Sequence, residues 1–142
     1  MRLHLSLPLP LLFGPVAERR QRELSRRQSG WFPQGMPLLA AKSIGADIVE
    51  LHTGHFCDLY EKKDKDYIRV TKTLEKAAKY ANKLGLEVHA GHGLTTRSVS
   101  YISKIAEIKE LNIGHSIISD SIFMGLRGAI ELMKQRIKES RF

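Results

Sequence analysis

The strongest constraint on the fold is a repeated order of segments that begins after residue 37. Three times the chain passes from a short apolar stretch, through a polar or glycine-containing loop, into a stretch with apolar residues at helical spacing. The apolar stretches, which predict strands, cover residues 46–51, 86–90 and 111–113. Strands that alternate with helices form parallel sheets, because each helix returns the chain to the edge where the next strand starts. The sequence therefore predicts an α/β fold, either a doubly wound sheet or a (β/α) barrel.

Helices are predicted between these strands and at both ends of the repeated region. A short one covers residues 38–43, a longer one has its apolar positions between Tyr67 and Leu84, and a third surrounds residues 99–106. The last predicted helix carries its apolar residues on one face: Ile122, Leu126, Ala129, Met133 and Ile137. Basic residues follow towards the end of this helix.

The first 37 residues differ in composition from the rest. They hold all five prolines, the only tryptophan and a cluster of arginines. An apolar run over residues 3–13 resembles a secretory signal, but prolines interrupt it, and it is far shorter than the ~20 residues that a membrane span needs. We therefore predict an irregular, Pro/Arg-rich leader over residues 1–37 and one α/β domain over residues 38–142.

The formal charge of +8 raises the question of a nucleic-acid partner. Beyond the leader, lysines alternate with acidic residues along helix-like segments, as on solvated helix faces, and no recognition motif accompanies the charge. A basic chain also suits phosphorylated small molecules. The single cysteine, Cys57, excludes an internal disulfide and suits a reducing compartment. We expect no nucleic acid, no membrane and a cytoplasmic protein.

All three predicted strands end in polar or glycine-rich sequence, which is where parallel α/β proteins place their working groups. Glycines there let backbone N–H groups approach an anion, and the helix that follows presents its positive end. Gly93, Gly114 and His115 are therefore candidates for a phosphate site. The alternative is that these glycines only serve tight turns.

Two further side chains at the strand ends carry titratable groups. Glu50 ends an apolar strand, so its carboxylate must be paired, for instance with a lysine or arginine, or used in chemistry. His92 has the side chain that exchanges protons near neutral pH. Metal binding by the loop histidines is conceivable, but no dense ligand spacing is present, and we expect no metal.

At these strand ends the sequence resembles the pyridoxine 5'-phosphate synthase family. The similarity rests on the runs ADIVELHTG (46–54), LEVHAGHGLT (86–95) and ELNIGHSII (110–118), which resemble the last three barrel strands of that family. It continues through the final helix. The resemblance implies the C-terminal portion of a (β/α)8 TIM barrel.

The resemblance also implies an activity and roles for the candidate residues. The family is a transferase of vitamin B6 biosynthesis that needs no cofactor. It condenses 3-amino-2-oxopropyl phosphate with 1-deoxy-D-xylulose 5-phosphate to pyridoxine 5'-phosphate, phosphate and water. By resemblance, His92 is the proton donor, Glu50 stabilises the transition state, and Gly93, Gly114 and His115 hold the amino-ketone phosphate. Family members assemble as homo-oligomers, typically octamers, in the bacterial cytoplasm.

One departure from the family concerns its first strands. A complete barrel takes ~250 residues, and nothing in residues 1–37 matches the histidine and glutamate proton acceptors or the pentulose phosphate groups of those strands. We therefore expect a truncated form that lacks synthase activity by itself. The alternatives are a non-catalytic phosphate-binding or assembly fragment of the family, and a basic nucleic-acid-binding protein.

Overall fold

A four-stranded parallel sheet forms the centre of the computed structural model, which describes residues 2–4 and 36–141. The strands are β1 (Arg2–His4), β2 (Ile48–His52), β3 (Glu87–Gly91) and β4 (Ile108–Asn112). The helices are α1 (Met36–Ser43), α2 (Gly54–Glu61), α3 (Tyr67–Lys83), α4 (Val99–Ser103) and α5 (His115–Arg141). None of the helices described here combines the length and apolar character needed to cross a membrane.

The strands lie in the order β1-β4-β3-β2, and every neighbouring pair is parallel. Helical segments connect β2 to β3 and β3 to β4, as in βαβ units. The predicted α/β class is confirmed, and the architecture is that of part of a (β/α) barrel. β4 begins three residues earlier than the predicted third strand, which started at residue 111.

β1 is a strand that the sequence analysis did not predict. Residues 2–4 lie in the segment predicted as an irregular leader, yet they pair in parallel with residues 110–112 of β4. In a closed barrel the first strand pairs with the last, so β1 lies beside β4 as a first strand would. The leader prediction for residues 5–35 lies outside the described residues, whereas Met36 and Pro37 begin α1.

The hydrophobic core lies on one face of the sheet, between the strands and their helices. Val88 and Ala90 of β3 point into it and are at most 1% exposed, whereas His89 between them points to the other face. Their helical neighbours include Ala78, Ala81, Ile102 and Met133, all completely buried. The apolar spacing predicted for α3 is confirmed, because its buried residues lie on the core side.

The opposite face of the sheet carries polar side chains. The His89 ring lies 2.8 Å from a Glu87 carboxylate oxygen and 3.8 Å from a Glu110 oxygen. Ile48 of β2 is half-exposed on the same face. In a complete barrel, inward-pointing side chains of this kind form the packed interior.

α5 does not have the continuous apolar face that its sequence predicts. Ala129 and Met133 are buried as expected, but Ile122 is 78% exposed and Leu126 is 49% exposed. The helix is broken at Gly125, whose φ of 75° and ψ of 155° are non-helical. The break gives residues 115–124 a different direction from the rest of α5, so the prediction of one continuous helix with Ile122 and Leu126 on the same face as Ala129 and Met133 is wrong.

An aromatic cluster joins α2, α3 and α4 beside the core. Phe56 is completely buried, and its ring centroid lies 6.0–6.3 Å from those of Tyr60, Tyr67 and Tyr101. Tyr67 and Tyr101 also bring their hydroxyl oxygens to 3.4 Å. This cluster fixes α2, the helix that begins directly after the β2 loop.

We expect Phe56→Ala to lower the free energy of unfolding by about 3–5 kcal/mol, because it leaves a cavity among three tyrosines. The control is Ile44→Ala, since Ile44 is 83% exposed, and it should change stability by no more than about 0.5 kcal/mol. Urea denaturation followed by circular dichroism measures both. Equal losses for the two variants would contradict this packing.

Candidate active site

The carboxyl ends of β2, β3 and β4 meet at one edge of the sheet. In the parallel register His52 pairs with Gly91, and Gly91 pairs with Asn112. The loops that start at Thr53, His92 and Ile113 therefore leave the sheet side by side. Four of the predicted site residues, His92, Gly93, Gly114 and His115, lie in these loops or directly after them, and Glu50 lies two residues before the end of β2.

A pocket of about 380 Å³ opens between the loop after β3 and the start of α5. Its lining residues are Gly93, Leu94, Thr95, Thr96, Arg97, His115, Ser116, Ser119 and Asp120. The structure thus brings two of the predicted phosphate residues, Gly93 and His115, to one cavity. Arg97, one of the lining residues, forms an ion pair with Glu61, in which its Nη2 group lies 3.1 Å from Oε1 and 3.0 Å from Oε2.

Gly93 occupies a backbone position that only glycine adopts without strain, because its φ is 80°. A Cβ atom at this position would come within 3.1 Å of the Cys57 Cβ atom. The main chain therefore passes close to α2 on one side and borders the pocket on the other. This arrangement leaves backbone, rather than a side chain, at the pocket wall.

The start of α5 borders the same pocket. His115 is the first helical residue, and the first N–H groups of a helix have no partner within it. Together with the helix dipole they favour an anion at this end. Gly114 does not line the pocket; it precedes the helix, and its carbonyl oxygen accepts the first-turn bond from the Ile118 N–H at 3.0 Å.

Glu50 is held by an amide rather than by the lysine or arginine considered from the sequence. The Asn112 Nδ2 group donates to Glu50 Oε2 at 2.5 Å across the intervening strand β3. Gly91 makes this contact possible, since a Cβ atom there would lie 2.7 Å from Glu50 Oε1. The carboxylate is exposed on the polar face of the sheet, outside the pocket lining.

His92 lies next to the pocket but does not line it. Its φ of 78° is unusual for a residue other than glycine. The His92 ring stacks on the His52 ring, with centroids 4.3 Å apart and planes inclined by 26°. Burial lowers the pKa of His52, the nearby His92 lowers it further, and the carboxylates of Glu50 and Asp58 oppose the shift.

Cys57 lies against Gly93 at this edge, and its thiol is a possible nucleophile. Burial raises the pKa of the Cys57 thiol to about 11, so the group stays protonated and weakly nucleophilic. Within residues 36–141, no three His, Cys, Asp or Glu side chains come together as metal ligands. This edge also carries the Glu50 carboxylate, the stacked imidazoles of His52 and His92, and the pocket.

The fold defines the class of protein, because the described residues form part of a (β/α) barrel. Barrel enzymes usually bind phosphate after the last two strands, and this pocket lies after β3 and β4. The family model described as "Pyridoxal phosphate biosynthesis protein PdxJ" matches residues 33–139. The chain belongs to this family, and the resemblance inferred from its three strand ends is confirmed.

Curated relatives agree with this assignment. The chain is similar to proteins named "Pyridoxine 5'-phosphate synthase" from several bacteria. It is 50% identical to that of Sulfurihydrogenibium sp. (strain YO3AOP1) over 103 residues, which are 72% of this chain and 41% of the relative. It is 46% identical to that of Coxiella burnetii (strain Dugway 5J108-111) over 105 residues, which are 74% of this chain and 43% of the relative. The chain thus spans about two fifths of the length of these relatives.

Three residues that contact the predicted site residues were not themselves predicted as catalytic or phosphate-binding. The Asn112 side chain donates a hydrogen bond to Glu50, and the Thr53 hydroxyl donates one to the His92 carbonyl oxygen. The His52 ring stacks on the His92 ring. A signal was present, because all three lie at or directly after strand ends in the runs that carry the family resemblance. Their partners lie on other strands, which the sequence pattern does not reveal.

We expect His92→Gln to raise the pKa of His52, because the second-largest cause of its lowering is removed. Burial remains in this variant and continues to oppose protonation of His52. Titration of the His52 ring resonances by NMR measures the change. The control is His55→Gln, which removes an imidazole that does not contribute to the His52 shift. An unchanged His52 pKa in His92→Gln would contradict the stacked geometry.

The same lowered pKa sets the sign of a pH effect on stability. The unfolded chain takes up a proton on His52 before the folded chain does, so this group destabilises the fold as the pH falls below 6.5. The loss should level off below the folded-state pKa. Replacing His52 by Gln should remove this part of the pH dependence.

Proposed function

We propose that this chain carries the amino-ketone phosphate side of a pyridoxine 5'-phosphate synthase active site. The observation that carries the proposal is the shared pocket of Gly93 and His115 at the positive end of α5. A phosphate dianion there would accept hydrogen bonds from backbone N–H groups and from the Ser116 hydroxyl. Family membership and the names of the relatives support the substrate, 3-amino-2-oxopropyl phosphate.

The proposed roles of Glu50 and His92 come from the family resemblance, and the chemistry of the condensation supports them. An amine that condenses with a ketone develops positive charge on nitrogen, and a carboxylate held in place by Asn112 stabilises that charge. Loss of water requires a proton on the departing hydroxyl, and an imidazole supplies one near neutral pH. We therefore propose Glu50 as the transition-state stabiliser and His92 as the proton donor.

Turnover is proposed to need groups beyond this chain. By resemblance, the family's other proton acceptors and its contacts to 1-deoxy-D-xylulose 5-phosphate come from earlier strands. Among residues 2–4 and 36–141, in contrast, the pocket lining comes from residues 93–120. This favours binding of the amino-ketone phosphate without synthesis, and it makes a non-catalytic phosphate-binding protein the second candidate function.

Assembly and location are proposed in line with the family. We propose a homo-oligomer, an octamer by resemblance, in the cytoplasm. Exposed apolar side chains around the break in α5 support an oligomer, since Ile122 and Phe123 are 78% and 87% exposed.

The proposal is tested by the affinity of the purified 142-residue protein for inorganic phosphate and for 3-amino-2-oxopropyl phosphate. We expect Gly93→Ala to weaken both by about tenfold or more, because the strained backbone and the contact with Cys57 move the pocket wall. Gly45→Ala is the matched control, since Gly45 has a similar φ of 82° and no atom within 4 Å of an added Cβ. Isothermal titration calorimetry measures all three proteins.

The proposed function and its alternatives predict different results in binding and activity measurements. Absence of binding by the wild type, or equal loss in both glycine variants, would contradict the phosphate pocket. Formation of pyridoxine 5'-phosphate from both substrates would contradict the expected lack of turnover. Affinity for duplex DNA that falls steeply with salt would favour the nucleic-acid alternative.

A further inference from the structure

We propose that Thr53 is a positioning residue for His92: its buried hydroxyl holds the His92 main chain in the conformation that stacks the imidazole on His52. The inference rests on the proposed function, because it concerns the residue proposed as proton donor. Nothing in the family resemblance assigns a role to Thr53.

Thr53 is tied to the end of β3 by three contacts. Its N–H donates to the Gly91 carbonyl oxygen at 2.7 Å. Its Oγ1 atom lies 2.7 Å from the Gly91 carbonyl oxygen and 2.7 Å from the His92 carbonyl oxygen. A hydroxyl has one proton, so the two carbonyl groups share it. The side chain is completely buried, and water cannot replace these bonds.

His92 needs such a constraint because of its backbone. A φ of 78° lies in the left-handed region, which residues with a side chain rarely occupy. Conformations of this kind persist where the surroundings fix them, and they concentrate at functional sites. The hydroxyl of Thr53 contacts the carbonyl group of His92 itself, so it acts at the strained residue.

The His92 ring is constrained separately, by the residues on either side of Thr53. His52 stacks on the ring with a centroid distance of 4.3 Å. A Cβ atom at Gly54 would lie 3.1 Å from His92 Cδ2, so glycine leaves the ring the space it occupies. The three consecutive residues 52–54 thus hold the main chain and the ring of His92 together.

A purely structural role is the alternative. Thr53 also precedes α2, and its hydroxyl could do no more than stabilise the turn between β2 and the helix. The two roles differ in what the loss of the hydroxyl changes. A structural role lowers stability alone, whereas a positioning role changes the surroundings of the His92 ring in a protein that remains folded.

The test uses the full chain labelled with ¹⁵N and ¹³C. Thr53→Val keeps the branched shape and removes the hydroxyl, and Thr53→Ser keeps the hydroxyl. We expect Thr53→Val to lose the nuclear Overhauser effects between the His52 and His92 rings and to shift the His92 ring resonances, and Thr53→Ser to restore both. Thr71→Val is the matched control, because Thr71 Oγ1 makes a comparable bond to the Tyr67 carbonyl oxygen at 2.9 Å within α3.

Two results would overturn the proposal. One is a folded Thr53→Val protein with unchanged ring contacts and His92 resonances, and the other is the same change in Thr71→Val. If Thr53→Val does not fold, the exchange of the Thr53 hydroxyl proton in the wild-type protein tests the proposal instead. A Thr53 hydroxyl proton that exchanges slowly and shows contacts to the His92–Gly93 main chain supports the role, and one that exchanges freely overturns it.

This readout is independent of the proposed function. Failure of the wild type to bind phosphate would remove the proposed function and leave the His92 ring contacts measurable. Intact phosphate binding together with unchanged ring contacts in Thr53→Val would remove only the positioning role. The two failures are therefore distinguishable.

Discussion

The arrangement of the whole site depends on the parallel pairing of β2, β3 and β4. Their register sets His52, Gly91 and Asn112 in one row at the edge where the strands end. Because all three strands run in the same direction, their loops leave the sheet at the same edge. A shift of one residue in any strand would turn its functional side chains to the opposite face. The candidate site is thus a consequence of strand register, and the core that packs behind β3 maintains it.

At the carboxyl edge of the sheet, strands β2 and β4 bring the Glu50 carboxylate and the Asn112 amide into contact across β3. The absence of a side chain at Gly91 lets Glu50 reach Asn112 across β3. The polar face continues with Glu87, His89 and Glu110, whereas the helices cover the opposite, apolar face. A sheet with one apolar and one polar, partly exposed face fits a chain that spans about two fifths of the length of its barrel relatives.

Periodicity and loop composition were sufficient to predict the parallel sheet and to locate its polar strand ends, because both signals are local. Features that depend on distant pairing were not predictable. β1 is three residues long and exists through pairing with β4, and Asn112 meets Glu50 over a separation of 62 residues. The break in α5 was missed for another reason. A single glycine is tolerated in a helical pattern, so the apolar spacing around Gly125 predicted one continuous helix.

We propose that backbone groups from two neighbouring strand ends form one anion pocket. Amide ¹H–¹⁵N spectra recorded during titration with inorganic phosphate test it most directly. We expect the Gly93 amide and those of His115 and Ser116 to shift together, with one shared dissociation constant. Shifts scattered over surface lysines, with these amides unmoved, would contradict it.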